Sequence, residues 1–124
     1  MFEQSYSFTF EAAHQLGANV PDDPNHPYAR VHGHSFVATV TLTAETVGED
    51  GWVADFAAVR AACDGVRDQL DHAFLNDVTS LGRPTLERLA QWIYNALHPT
   101  LPALSQVEVA RPTLHEKARY KPAV

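Results

Sequence analysis

Two stretches of this chain alternate apolar and polar residues, and each carries histidine on its apolar face. In residues 4–14, QSYSFTFEAAH, the side chains of Tyr6, Phe8, Phe10 and Ala12 share one parity, and His14 continues it. In residues 32–43, HGHSFVATVTLT, His32 and His34 share the parity of Phe36, Ala38, Val40 and Leu42. A period of two is the pattern of a strand with one buried face. Residues i and i+2 of a strand project to the same side, so His32 and His34 can converge on one point, with Gly33 between them to allow close approach. If the two strands pair as a hairpin, His14 reaches that same point.

The connection over residues 15–31 holds Gly17, Asn19, Pro21, Asp22, Asp23, Pro24, Asn25 and Pro27. It reads as a long loop, and loops of that length are usually functional or mobile. A turn follows over Glu45 to Gly51. Asp55 is placed to cap a helix whose apolar stripe is Phe56, Val59, Cys63, Val66 and Leu70. That helix should stop near Leu70. Thr85 can cap a second helix with a stripe of Leu86, Leu89, Ala90, Ile93 and Leu97, stopped by Pro99. Val107, Val109 and Arg111 alternate as a third strand, Pro112 to Leu114 can turn it, and residues 115–120 can return as a fourth. The order β-β-α-α-β-β predicts an α+β domain with its helices on one face of an antiparallel sheet.

At 124 residues the chain fits one domain, 1–124. With 45% hydrophobic and 19% charged residues, it has the balance of a soluble globular protein rather than a disordered one. The net charge of −6 repels phosphate backbones, which disfavours nucleic acid as a partner. No apolar run approaches the ~18–20 residues that span a bilayer, and MFEQSYSF does not resemble a secretory signal. The single cysteine, Cys63, excludes an intramolecular disulfide and sits on a helix stripe, where a plain core residue is expected. These features point to a cytoplasmic protein with neither membrane nor nucleic-acid partners.

Three neutral imidazoles at one point would leave the fourth tetrahedral position of Zn²⁺ open, the arrangement of a catalytic zinc site. The alternative is three core histidines, each satisfied by the backbone. Shared parity favours metal, because burying three unpaired imidazoles together is costly. A second cluster is Asp71-His72, after the first helix. An Asp beside a His can orient it as a general base. Adjacent residues rarely pair directly, however, and pattern alone favours a histidine that complements the helix dipole.

The segments FTFEAAH (8–14), RVHGHSF (30–36), GWVADFAAV (51–59), LDHAFLND (70–77) and PTLERLA (84–90) occur together, in order. In that combination the chain resembles the 6-pyruvoyltetrahydropterin synthase and 6-carboxytetrahydropterin synthase family, the bacterial 6-carboxytetrahydropterin synthase branch above all. The resemblance spans roughly residues 6–120. It implies the tunnelling fold, a four-stranded antiparallel sheet with two helices on one face. It implies homo-oligomers, trimers that stack as hexamers, with active sites at subunit interfaces. It implies Zn²⁺ held by His14, His32 and His34, and proton transfer by Asp71 and His72. The implied reaction converts 7,8-dihydroneopterin triphosphate to 6-carboxytetrahydropterin, with loss of triphosphate and acetaldehyde, in the route to 7-deazaguanine and queuosine.

Two positions depart from the family pattern. The catalytic Cys of the family, four residues before the HGH pair, is Tyr28 here. A free thiol titrates near ~8.5 and a phenol near ~10, so tyrosine is the poorer base at neutral pH. His26, Asp22 and Asp23 in the same loop are other candidates, and Tyr28 can instead simply pack over the substrate. The family's pterin-anchoring Glu reads Arg111. An arginine only donates, and suits a carboxylate, phosphate or oxo edge. Glu116, on the returning strand, is the alternative anchor. Two further readings therefore stand beside the synthase. One is the same fold with an aldolase-like cleavage of the side chain of dihydroneopterin or its phosphates. The other is a zinc- or pterin-binding protein without catalysis, against which the presence of Asp71 and His72 argues.

Overall fold

A computed structural model describes residues 1–123. The elements in chain order are β1 (Phe2–His14), β2 (His32–Ala44), α1 (Phe56–Leu70), α2 (Leu86–Leu97), β3 (Leu104–Arg111) and β4 (Glu116–Tyr120). The strands form one sheet in the order β1-β2-β3-β4, and every neighbour pair is antiparallel. This is the expected α+β order. β1 begins two residues earlier than its alternation suggests, and β3 extends back to Leu104.

Parity decides what the sheet buries. Phe8, Phe10, Phe36, Val40, Leu42, Val107 and Val109 face the helices and are buried. They meet Val59, Cys63, Val66 and Leu70 of α1, and Leu86, Leu89, Ile93 and Leu97 of α2. Both helices start where a side chain satisfies a free backbone donor. Asp55 accepts from the Ala57 amide at 2.9 Å, and Thr85 accepts from the Arg88 amide at 3.2 Å.

The β1–β2 register fixes the histidines. Phe10 lies opposite Phe36 with the rings stacked at 4.9 Å. Burying each ring contributes about 1.5–3 kcal/mol relative to leaving it exposed. Two residues further along, Ala12 opposes His34, and two beyond that His14 opposes His32. A slip of β1 by one residue would turn Phe8, Phe10 and His14 away from Phe36, His32 and His34, so the core holds the three histidines together.

The segment after α1 closes the outer edge of β1 beside these histidines. The His72 amide donates to the Glu11 carbonyl at 2.6 Å, and the Ala13 amide donates to Ala73 at 3.0 Å. Asn76 brackets Gln15 with two further bonds, at 2.9 and 3.0 Å. On the other side, the 15–31 connection is less open than its composition suggests. It contains short 3-10 turns at Gly17–Asn19 and Pro27–Ala29, and the Leu16 amide donates to the Tyr28 carbonyl.

Candidate metal centre and active site

His14 is fully buried, and its Nδ1 lies 2.9 Å from the Pro84 carbonyl. His32 Nδ1 lies 2.7 Å from the Arg30 carbonyl. A carbonyl only accepts, so each Nδ1 carries the proton and each Nε2 presents a lone pair. Those two Nε2 atoms are 3.0 Å apart. Two lone pairs facing at that distance repel, unless a cation or a proton lies between them. The Nε2 of His34 is buried with no partner. The three imidazoles offer donor atoms that all lie within 4.8 Å of one another.

Two imidazole nitrogens on one tetrahedral ion, each about 2.0–2.1 Å from it, stand about 3.3 Å apart. The donor set, the tautomers fixed by backbone carbonyls and the orphaned Nε2 all fit a bound cation. Burial also disfavours protons on two of these rings. It lowers the pKa of His14, with smaller contributions from His32 and Arg111. It lowers that of His34 to about 4, together with His14, Arg111 and His32. His14 and His34 are therefore held toward the neutral form that a metal requires.

Asp71 and His72 pair directly, against the expectation from sequence adjacency. Asp71 Oδ2 lies 3.0 Å from His72 Nδ1. The reason is a left-handed backbone at His72, φ 60°, a conformation uncommon outside glycine. It swings the imidazole back over the preceding carboxylate. Asp71 is held in turn by the Glu11 amide at 2.9 Å and by Arg67 at 3.4 Å. The Glu11 amide is the largest influence keeping its carboxyl below the ordinary carboxylate range, with His72 and Arg67 adding to it against some desolvation. The side chain of His72 is 81% exposed.

Two cavities meet at His34. One, of about 500 Å³, is lined by Glu11, Gly33, His34, Ser35, His72 and Thr113. The other, of about 310 Å³, is lined by Tyr28, His32, His34, Glu87, Arg111 and Glu116. The predicted residues thus gather around the triad in two groups, with His72 on one side and Tyr28, Arg111 and Glu116 on the other. Arg111 and Glu116, which the sequence offers as alternative anchors, share one cavity and are joined at 3.2 Å. His26 lines neither cavity. Its Nδ1 accepts from the Tyr28 amide at 3.1 Å, and the two rings lie 4.4 Å apart. Asp22 and Asp23 are exposed and also lie away from both linings. Gly33 crowds less than its position between the histidines suggests. A Cβ there would meet the Ala12 carbonyl at 3.4 Å, ordinary contact. Cys63 lies in the core, where burial raises its thiol to about 11.

Sequence reading misses Glu87, Glu11 and Ser35. Glu87 reads as an ordinary first-turn acid of α2. Glu11 accepts from the Ser35 hydroxyl at 2.8 Å, a cross-strand pair that only the register reveals.

Comparison with known proteins places this geometry. The family described as 6-pyruvoyl tetrahydropterin synthase matches residues 3–123. A 6-carboxy-5,6,7,8-tetrahydropterin synthase of Synechocystis is 40% identical over 121 residues, covering 91% of this chain and 88% of that one. A dihydroneopterin monophosphate aldolase of Pyrococcus furiosus is 32% identical, covering 90% and 86%. The solved 6-pyruvoyl tetrahydropterin synthase of Caenorhabditis elegans superposes with a TM-score of 0.85 at 23% identity, covering 98% of this chain and 96% of that one.

Proposed function

Because this chain belongs to the 6-pyruvoyl tetrahydropterin synthase family, we propose that it is a zinc-dependent lyase of the 6-carboxytetrahydropterin synthase type. Its substrate is 7,8-dihydroneopterin triphosphate, and its product is 6-carboxytetrahydropterin for the 7-deazaguanine and queuosine route. The observation that carries the reading is the clustering of His14, His32 and His34, which offer ligand atoms within 4.8 Å of one another, with the Nε2 atoms of His14 and His32 3.0 Å apart and that of His34 buried without a partner. Three protein ligands leave a coordination position for substrate. Bound there, Zn²⁺ supplies Lewis-acid polarisation of substrate oxygens.

The remaining work belongs to the chain's own groups. The Asp71 carboxylate holds the Nδ1 proton of His72, which leaves Nε2 of that ring free to take and return protons. Tyr28 faces the second cavity where the family uses a thiol, and His26 fixes the backbone of Tyr28 rather than meeting the substrate itself. Glu116 and Arg111 line that same cavity and would anchor the ring of the pterin.

The protein acts in this reading as a cytoplasmic homo-oligomer, a trimer or two stacked trimers. The first half of β1 presents an uncovered edge, flanked by exposed Phe2, Trp52 and Phe56. The exposure of His72 also suits a cavity completed by a neighbouring subunit.

The test is product analysis. Zinc-loaded protein and its Tyr28→Cys variant are incubated with 7,8-dihydroneopterin triphosphate and the products weighed by mass spectrometry. 6-Carboxytetrahydropterin from the unmodified protein is expected. No product from either protein would rule out the substrate. A second reading, aldolase-like cleavage, is favoured by the aldolase relative together with Tyr28 in the thiol position. A 6-hydroxymethyl product from dihydroneopterin or its monophosphate would establish it instead. Turnover no greater than that of a His72→Ala control would leave only a binding role.

A further inference from the structure

Arg111 and Glu116 face each other across the β3–β4 register, at the end of the sheet next to the histidines. The 3-10 turn Pro112–Leu114 and the left-handed residue His115, φ 57°, bring the chain back between them. Arg111 is half-buried, and a single contact joins the two, Nη2 to Oε1 at 3.2 Å. The Nε–H of Arg111 is buried and has no acceptor. An unpaired buried donor on a charged group is costly, and native structures retain few without a reason. A metal cannot satisfy it, because a guanidinium has no lone pair to give.

What would satisfy it is set by the rest of the cavity. Glu87 and Glu116 contribute two carboxylates to the lining, against the one guanidinium, and Leu16, Leu86 and Leu114 supply apolar surface. Two carboxylates disfavour a phosphate arm here. A flat, neutral ring suits the cavity, provided that one edge carries an acceptor beside donors.

Resting on the pterin reading above, we infer that Arg111 and Glu116 read one ring edge together. Arg111 Nε–H donates to the ring oxo group, and the Glu116 carboxylate accepts from the adjacent ring N–H and amino group. Arg111 then acts as a specificity residue. Together with Glu116 it selects a 2-amino-4-oxo ring over a 2,4-diamino ring, whose second amino group would set donor against donor at Arg111 and whose adjacent ring nitrogen carries no hydrogen for Glu116.

Two oxidised, unreactive probes test this: 2-amino-4-oxopteridine and 2,4-diaminopteridine, titrated by fluorescence into the zinc-loaded protein. The wild type should prefer the oxo ring by at least about 100-fold, since a site built on hydrogen bonds rejects the mismatched analogue strongly. Arg111→Met should cut that preference to about tenfold or less through weaker binding of the oxo ring, because a paired partner is lost. Arg111→Lys keeps the charge but lacks the Nε–H, and should also lose preference, which guards against a Met variant that misfolds. Glu116→Gln should weaken the oxo ring as well. Tight binding of the oxo ring with the same preference in Arg111→Met or Arg111→Lys as in the wild type overturns the inference and leaves the pterin reading standing. So does a wild type that binds both rings equally. A wild type that binds neither ring overturns both.

Discussion

The histidine triad and the Asp71–His72 pair flank the same end of β1, yet they are built by different means. The triad is set by strand parity and register, backed by a stacked phenylalanine pair, with His14 and His32 fixed in tautomer by backbone carbonyls. The pair is set by one left-handed residue where α1 ends, and it lies on the surface. Burial disfavours protons on His14 and His34 in the first region, which suits a metal. Exposure gives the second a ring open to solvent protons, held in place only at Nδ1. In the proposed function a ligand set needs rigidity, whereas a proton shuttle needs access, and the two constructions would divide these needs.

The comparison predicts its own largest failure. His14→Ala removes the fully buried ring of the proposed zinc site and should lower zinc affinity by more than about 100-fold, since even an outer partner of a metal ligand is worth 10–100-fold. Competition against a chromogenic chelator, counting zinc per chain, measures it. Retained stoichiometric zinc would mean that the three histidines are core residues and that the two regions do not differ in kind. His72→Ala should do the reverse. Zinc content stays at the wild-type level, while turnover of the substrate established by product analysis falls by about 10²–10⁴, the usual worth of a general acid–base group. Steady-state kinetics with metal analysis on the same samples separates the two outcomes. If His72→Ala loses zinc instead, the pair supports the triad and is no independent shuttle.

Legibility followed the same division. The triad was readable because parity is a property of local sequence, and the helix stripes ending at Leu70 and Leu97 were readable for the same reason, except that Phe56, expected to open the first stripe, lies exposed in the first turn of α1. The direct Asp71–His72 contact was not. It depends on a positive φ at a residue that carries no glycine-like signal, imposed by pairing to Glu11 sixty positions away in sequence. The partnership of Arg111 with Glu116 was half visible. Both residues stood out, but their union needed the turn at Pro112–Leu114 and the register that follows it. The carbonyl of Pro84, which sets the His14 tautomer, is a backbone atom and leaves no trace in residue identity.

Acid should separate the two regions by window. His34, and His14 with it, resist protonation in the folded state, whereas unfolded imidazoles take protons near ~6.5. Metal-free protein should therefore be fully stabilised by these rings above pH 6.5 and lose that stability as pH falls toward about 4, because the unfolded state binds more protons in that interval. Asp71 has the opposite charge type and a later window. Its carboxyl is held below the ordinary value of 3.8, so its contribution persists above that pH and is lost only as pH falls through the lower folded value. Urea unfolding of chelator-treated protein across this range should show the first window shrinking in His34→Gln and the second in Asp71→Asn. A profile that His34→Gln leaves unchanged would mean that burial does not hold His34 neutral.

The smallest effect is expected where both regions are absent. Cys63 packs with Val59 and Val66 on the buried face of α1, and its thiol, raised to about 11, stays protonated at neutral pH. Thiolate is the reactive form, so this residue cannot replace the thiol missing at position 28. Cys63→Ala should cost about 1 kcal/mol of stability, the scale of a small core truncation, and leave turnover unchanged. The native protein should also resist alkylation by iodoacetamide until urea exposes the core. If Cys63→Ala abolished turnover while zinc content and fold were kept, the chain would have to open α1 to the site during catalysis. The tyrosine in the loop would then be a packing residue, and the division between a rigid metal end and an accessible proton shuttle would fail at its third member.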